Sequence, residues 1–266
     1  QVTVVTGDTA AVSLGIGTFA ARTAANAGPS VHLAALEVAA KAKKLAAGMM
    51  ECVEDDLELA AGCVRLKSAP DVGKSLREIA VRSVGMPGFS MAGGLPPGLE
   101  HTAHFTPDQS AYANGTHVVE VEVDIETGAV AILRYTVAHD CGCMINPMVV
   151  DGQVIGGVAH GIGNALMERL VYDENAQLLT GTLADYLLPL ATDVPRIDLV
   201  HLETPSPLNP LGIKGAGEGG TIPAIAAIVS AVENALAPFG VTIAEAPITP
   251  QRIVELLGSH ALGRTR

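Results

Sequence analysis

The chain has 266 residues, 48% of them hydrophobic but only 3% aromatic, so one large or two small cores must be built from Ala, Val, Ile and Leu. A formal net charge of −12 argues against a nucleic-acid backbone or an anionic membrane surface as partner. Cys52, Cys63, Cys141 and Cys143 are too sparse for a disulfide scaffold, no secretory leader opens the chain, and no run of about 18 uninterrupted apolar residues occurs, so a cytoplasmic protein with no membrane partner is expected.

Residues 2–6 read as a strand, and a strand with nothing before it suggests a part of something larger. The loop that follows reaches Gly15-Ile16-Gly17-Thr18-Phe19-Ala20-Ala21-Arg22-Thr23. Its glycines, hydroxyls and guanidinium suit an anionic group such as a pyrophosphate. It lacks the third glycine of the dinucleotide fingerprint, and a plain strand-to-helix connection is the alternative. A helix is expected from Gly28-Pro29, with proline at its first position and Val31, Ala35, Val38, Ala42, Leu45 and Met49 on one buried face. Residues 54–67 read as a hairpin turning at Ala61-Gly62, and 72–84 as a short helix with Leu76, Ile79, Ala80 and Val84 inward. Residues 85–115 are rich in glycine and proline; His101 and His104 lack accompanying Cys or carboxylate motifs, so no metal site is expected there.

From His117 to Ile125 valines alternate with Glu120, Glu122 and Asp124, the signature of a half-buried antiparallel strand with a solvated acidic face. Glu126-Thr127-Gly128 turns the chain into a return strand over 129–138, which ends at His139-Asp140-Cys141-Gly142-Cys143. With no second pair of ligands, Cys141 and Cys143 read as thiol packing at a strand end. Asn146-Pro147 supplies a cap and first-turn proline for a helix over 148–170. That helix carries Gly152, Gly156, Gly157, Gly161 and Gly163; each costs roughly 1 kcal/mol, so something must approach closely. Gln153, Gly157, His160 and Asn164 share one face, which suits either a ligand's polar ring edge or a second packed helix. A strand over 197–203, a helix over 222–237, a short strand over 241–243, a helix over 248–257 and a frayed tail complete the chain.

One stretch, Asn209-Pro210-Leu211-Gly212-Ile213-Lys214-Gly215-Ala216-Gly217-Glu218-Gly219-Gly220-Thr221, stands apart. Glu218 lies between glycines, so its carboxylate can approach a bound object closely. Held in a dry loop it would gain proton affinity and serve as a general base. The alternative is a glycine-rich turn with Glu218 favoured by the dipole of the next helix.

Lys214-Gly215-Ala216-Gly217-Glu218 before an alanine-rich helix resembles the C-terminal half of the molybdopterin-binding large subunit in the xanthine dehydrogenase/aldehyde oxidase family. The likeness is to the bacterial carbon monoxide dehydrogenase large-subunit branch in particular. It extends through Gly15-Ile16-Gly17-Thr18 and Asn146-Pro147…Gly152-Gln153…Gly156-Gly157…Gly161-Ile162-Gly163, from Thr6 to about Leu257. It implies an α+β fold of mixed and antiparallel sheets with packed helices. Residues 1–266 would form one cofactor-binding region, divisible at about 1–115 and 116–266 and incomplete without an N-terminal half.

By the same resemblance Glu218 is the base beside the molybdenum centre. Gly17, Thr18, Phe19, Ala20, Ala21, Arg22 and Thr23, with Gln153 and Gly217, hold a molybdopterin cytosine dinucleotide; the metal is held through the pterin dithiolene and not by protein side chains. Ala21 stands where serine is common, and His160 where glutamine is frequent. The implied reaction converts the C–H of an aldehyde or N-heterocycle to C–OH with oxygen from water, or oxidises carbon monoxide. Implied partners are the N-terminal half and subunits carrying FAD and [2Fe-2S] clusters, without which the chain is not expected to be an enzyme. The competing reading is a non-catalytic assembly piece that binds partners but never holds a complete metal site.

Overall fold

Alternating valines and carboxylates build the sheet that organises the larger part of the molecule. In the computed structural model, which describes residues 3–11, 15, 17–84 and 95–263, β4 (Asn114–Val123) pairs antiparallel with β5 (Val130–Asp140). β6 (Ile197–Leu202) adds parallel to β5, so the sheet is mixed and the fold is α+β, as expected. Successive side chains face opposite ways: Val119, Val121 and Val123 pack inward while Glu120 and Glu122 are exposed. On β5 the inward row is Tyr135, Val137 and His139, all buried. Register places Gly115, His139 and His201 in one cross-strand row.

Two helices cover this face. α3 (Pro147–Leu166) begins as the Asn146-Pro147 signal requires, with the Asn146 side chain accepting from Val149 N at 3.3 Å and proline in the first turn. α4 (Ile222–Leu236) packs on β4 and on α3 through Ala224, Ile228, Val232 and Leu236. With its following turn, Ile222–Phe239 is long and apolar enough to cross a membrane by composition alone. Within it, Ala224, Ile228, Val232 and Leu236 are buried in the protein core, while Ile222 is exposed. α5 (Pro250–Gly263) adds Ile253, and Ile248 just before it, to the same cluster.

The chain forms two compact units, one of residues 1–25 and 108–266 and one of residues 26–107, so the division falls before residue 115 and the first segment groups with the last. The smaller unit contains most of α1 (Thr23–Met50), the antiparallel strands β1 (Leu57–Ala60), β2 (Cys63–Leu66) and β3 (Ala69–Ser75), and α2 (Leu76–Ser83). Its core joins Ala42, Leu45, Ala46, Leu57, Val64 and Ile79. The hairpin turns at Ala61-Gly62 as expected, both residues having positive φ (48° and 76°).

Several expectations are corrected. α1 starts at Thr23, not Gly28, and runs through Pro29, which removes one helical hydrogen bond. Val31 is 68% exposed; the helix buries Ala25, Pro29, Ala42, Leu45, Ala46 and Ala47 instead. Residues 72–75 belong to β3; α2 starts at Leu76 because Ser75 and Glu78 form a capping box. Val84 is 69% exposed, not inward. Thr3 to Thr6 form no strand, Val4 and Val5 being 77% and 62% exposed; Gln1 and Val2 lie outside the described residues, as do Ile16 and residues 85–94. Residues 241–243 join no ladder either: Ile243 N donates instead to Glu233 Oε2 at 2.6 Å.

Candidate cofactor and catalytic site

Local hydrogen bonding gives the Glu218 loop its shape. Buried Asn209 donates from Nδ2 to Ile213 O at 2.7 Å, and its Oδ1 accepts from Leu211 N and Ile213 N at 3.2 and 3.1 Å. The resulting turn has Gly212 at φ 66°, and the Gly212 carbonyl accepts from Cys143 N and Ser206 N, each at 3.0 Å. Lys214 N donates to Cys141 O at 2.7 Å. The end of β5 and the loop are thus stitched together, and at Gly142 (φ 69°) a Cβ would sit 2.2 Å from Gly212 O, so only glycine fits.

Side chains reinforce the seam. Lys214 Nζ meets Asp140 Oδ2 at 3.2 Å, with both side chains about nine-tenths buried. Asp140 Oδ1 also accepts from Gly142 N at 2.8 Å and Thr204 N at 3.2 Å. Burial works to raise the Asp140 carboxyl's proton affinity, but Thr204, the Gly142 amide and the Lys214 ammonium hold it far below the usual carboxylate range.

Beyond Lys214 the loop runs over α3 and β5 at contact distance. A Cβ on Gly220 would stand 2.3 Å from Val154 O, and one on Gly219 would stand 2.4 Å from the His139 ring. The Glu218 carbonyl accepts from Thr221 N and Ile222 N, each at 3.1 Å, which places Glu218 at the start of α4. Its side chain is exposed, so the dry loop expected from its flanking glycines is not formed within this chain.

A cavity of about 460 Å³ opens beside the loop. Thr18, Ala21, Thr23 and Ala24 line it from one segment, Cys141, residues 143–146, Val149, Val150 and Gln153 from a second, and Ile213, Lys214, Ala216 and Gly217 from a third. Ala21 packs against Gly215, and Gln153 Oε1 would be 3.7 Å from a Cβ on Gly217. The structure therefore brings together Thr18, Ala21, Thr23, Gln153 and Gly217. Gly17, Phe19, Ala20 and Arg22 do not line the cavity; the Arg22 guanidinium instead lies 3.9 Å over the Phe19 ring. His160 is exposed and away from it. On α3, Gly157 and Gly161 serve close packing against Gly220-Thr221 and Ala224, whereas Gly152 and Gly156 face open space. Close packing thus accounts for Gly157 and Gly161, and of the face Gln153, Gly157, His160 and Asn164 only Gln153 lines the cavity.

Known proteins place this arrangement. Residues 1–195 match the family model described as "Molybdopterin cofactor-binding domain". The chain belongs to this family. It is 35% identical over 256 residues to the carbon monoxide dehydrogenase large chain of Hydrogenophaga pseudoflava, covering 96% of this chain and 31% of that one. It is 40% identical over 254 residues to subunit gamma of the 6-hydroxypseudooxynicotine dehydrogenase complex of Paenarthrobacter nicotinovorans, covering 95% and 32%. Among solved structures, quinoline 2-oxidoreductase from Pseudomonas putida 86 superposes with a TM-score of 0.78 at 41% identity, covering 92% of this chain and 31% of that one. The chain thus spans about a third of the length of the relatives it matches.

The cavity lining fits such a cofactor. The hydroxyls of Thr18 and Thr23, the first turn of α1 and the Gln153 amide offer donors for phosphate and ring-edge atoms, and Ile145, Val149 and Val150 offer an apolar wall. Gly217 leaves free the space that a side chain would fill. Among the described residues no group of three or more His, Cys, Asp or Glu is placed to hold a metal ion. His101 and His104 are both exposed. Cys141 is buried and its thiol is pushed up, chiefly by burial; Cys143 is half-buried, and both face the cavity.

Sequence reasoning missed the Asp140–Lys214 pair and the buried His139. Alternation carried one step past residue 138 would have found His139, since it shares its face with Tyr135 and Val137. Nothing local marks Asp140 and Lys214 as partners across 74 residues.

Proposed function

We propose that this chain supplies part of the cofactor cavity and the general base of a molybdenum hydroxylase. The observation that carries the reading is the convergence of Thr18, Ala21, Thr23, Gln153 and Gly217, from three distant segments, on one cavity, with Glu218 next in the chain after Gly217. The reaction is R–H + H2O → R–OH + 2H⁺ + 2e⁻ or, for carbon monoxide, CO + H2O → CO2 + 2H⁺ + 2e⁻. The bound cofactor, in its cytosine dinucleotide form, supplies the two-electron oxidation. Glu218 accepts the proton released as the water-derived oxygen joins the substrate carbon. Its exposure lets a substrate reach it without disturbing the core. Thr18, Thr23 and Gln153 orient the pterin, while Gly217 lets it approach the backbone.

The relatives are named for carbon monoxide, 6-hydroxypseudooxynicotine and quinoline. An aldehyde, an N-heterocycle or carbon monoxide is accordingly the substrate class proposed, in the cytoplasm, with electrons leaving through iron–sulfur and FAD subunits. Turnover of an aldehyde or quinoline by the assembled holoenzyme in ¹⁸O-labelled water should place the label in the product. Product labelled only from ¹⁸O-dioxygen would overturn the reading.

A further inference from the structure

Beneath the Glu218 loop lies a row of imidazoles that the proposed chemistry does not use. His139, on the central strand β5, is 1% exposed, and neither of its ring nitrogens has a hydrogen-bond partner. Its ring faces Gly219 so closely that a Cβ there would come within 2.4 Å of Cε1 and 3.0 Å of Nδ1. On β4, His117 Nδ1 meets Tyr135 Oη at 2.9 Å, and the same ring also interacts with the Gly219 backbone. On β6, His201 stands opposite His139, donates from Nε2 to Asp151 Oδ1 of α3 at 2.6 Å, and leaves Nδ1 unpartnered.

We propose, resting on the reading of Glu218 as base, that His139 is a positioning residue: its neutral ring is the floor on which Gly219 rests, and that floor fixes where the neighbouring carboxylate stands. Three features carry this. The strand that carries the ring is paired on each side, so the backbone from which it projects is fixed. Gly219 has no side chain, so the contact is between ring and backbone and sets the height of the loop directly. A charged ring here would be buried with no acceptor for either N–H, which is costly, so the seat exists only while the ring is neutral. The groups facing it from neighbouring elements are His117 on β4, Asp140 on β5 and His201 on β6, with Asp151 behind His201 and Glu218 beside Gly219. Burial and the approach of His201 disfavour charging His139, and Asp140 only partly opposes them.

The test compares His139→Ala and His139→Gln with the unaltered holoenzyme, reading deuterium uptake over residues 214–222, molybdenum content, kcat, KM and the pH profile of kcat. His139→Ala should raise uptake in that segment and lower kcat at least about 10-fold, with KM and molybdenum content within about 2-fold. His139→Gln, which keeps bulk but cannot titrate, should recover most of both losses and move the acid limb of kcat to lower pH. Should His139→Ala fail to assemble, the uptake and pH profile of His139→Gln carry the test. Unchanged uptake in His139→Ala, or an acid limb that His139→Gln leaves in place, would overturn the proposal. Uptake is read without turnover, so it still judges the seat if Glu218→Gln shows that a different group is the base.

Discussion

Lys214 Nζ lies 3.2 Å from Asp140 Oδ2, and this contact ties the last residue of β5 to the loop four positions before Glu218. Asp140 also takes the amides of Gly142 and Thr204, so it holds three segments at once, whereas Lys214 holds one. Removing one partner of a buried pair typically costs roughly 3–5 kcal/mol, largely because the other is left unpaired. Asp140→Ala should fall in that range by denaturant unfolding of the assembled large subunit. Lys214→Met should cost less, because Asp140 keeps its amide donors. Equal losses would mean that the ion pair, and not the amide clamp, dominates.

The glycines of α3 separate into two kinds. A Cβ on Gly157 would sit 2.8 Å from Thr221 N and 2.9 Å from Gly220 Cα, both backbone, so Gly157→Ala should destabilise by about 1–3 kcal/mol. Gly152 and Gly156 face nothing within 4 Å, so alanine at either should stabilise the helix by about 0.5–1 kcal/mol. Thermal melting of the three single variants checks the contrast, which a merely flexible α3 would erase.

Acid should loosen the sheet before it reaches Asp140. His117 and His139 are pushed below the ordinary imidazole value of 6.5, in each case chiefly by burial. The unfolded chain therefore binds protons first as pH falls, so this stability is fully present above about pH 6.5 and is lost below it. Asp140 acts lower: its folded carboxyl titrates below its ordinary 3.8, so its contribution is present above that value and lost as pH falls through the folded one. Melting temperature should drop between pH 7.5 and 5, and the double variant His117→Gln, His139→Gln should flatten that slope. An identical slope in the variant would contradict the assignment.

Gln153 is exposed on α3 and lines the cavity without anchoring the core. Gln153→Ala should lower molybdenum retained after gel filtration by about 10-fold, the scale of one well-placed polar contact, while melting shifts by less than about 2 °C. Full metal retention would remove Gln153 from the cofactor's contacts.

What was legible in the sequence was what local chemistry controls. Valine–carboxylate alternation marked β4, Asn146-Pro147 marked the start of α3, and the glycines around Glu218 marked a loop in close contact. The missed features depend on partners far along the chain. β3 contains proline, aspartate and glycine, and forms because β2 offers it a ladder. Residues 3–6 have strand composition and no ladder. Pro29 looked like a helix start, yet α1 tolerates it internally. At the site, Gln153 and Gly217, expected from the family resemblance, line one cavity, but the floor under Gly219 was not legible, because it depends on which face of β5 His139 occupies. The exposure of Glu218 was hidden for the same reason: burial depends on what packs over a loop, not on the residues within it.

The central claim is that Glu218 is the base, and the most direct measurement is turnover of the Glu218→Gln holoenzyme alongside its molybdenum content. The substitution is nearly isosteric, and the hydrogen bonds that Glu218 makes within the chain come from its carbonyl, so metal content should match the unaltered enzyme. An amide cannot accept the proton, so kcat should fall by roughly two to four orders of magnitude at every pH. Turnover retained within a few-fold, with molybdenum bound, would contradict the account.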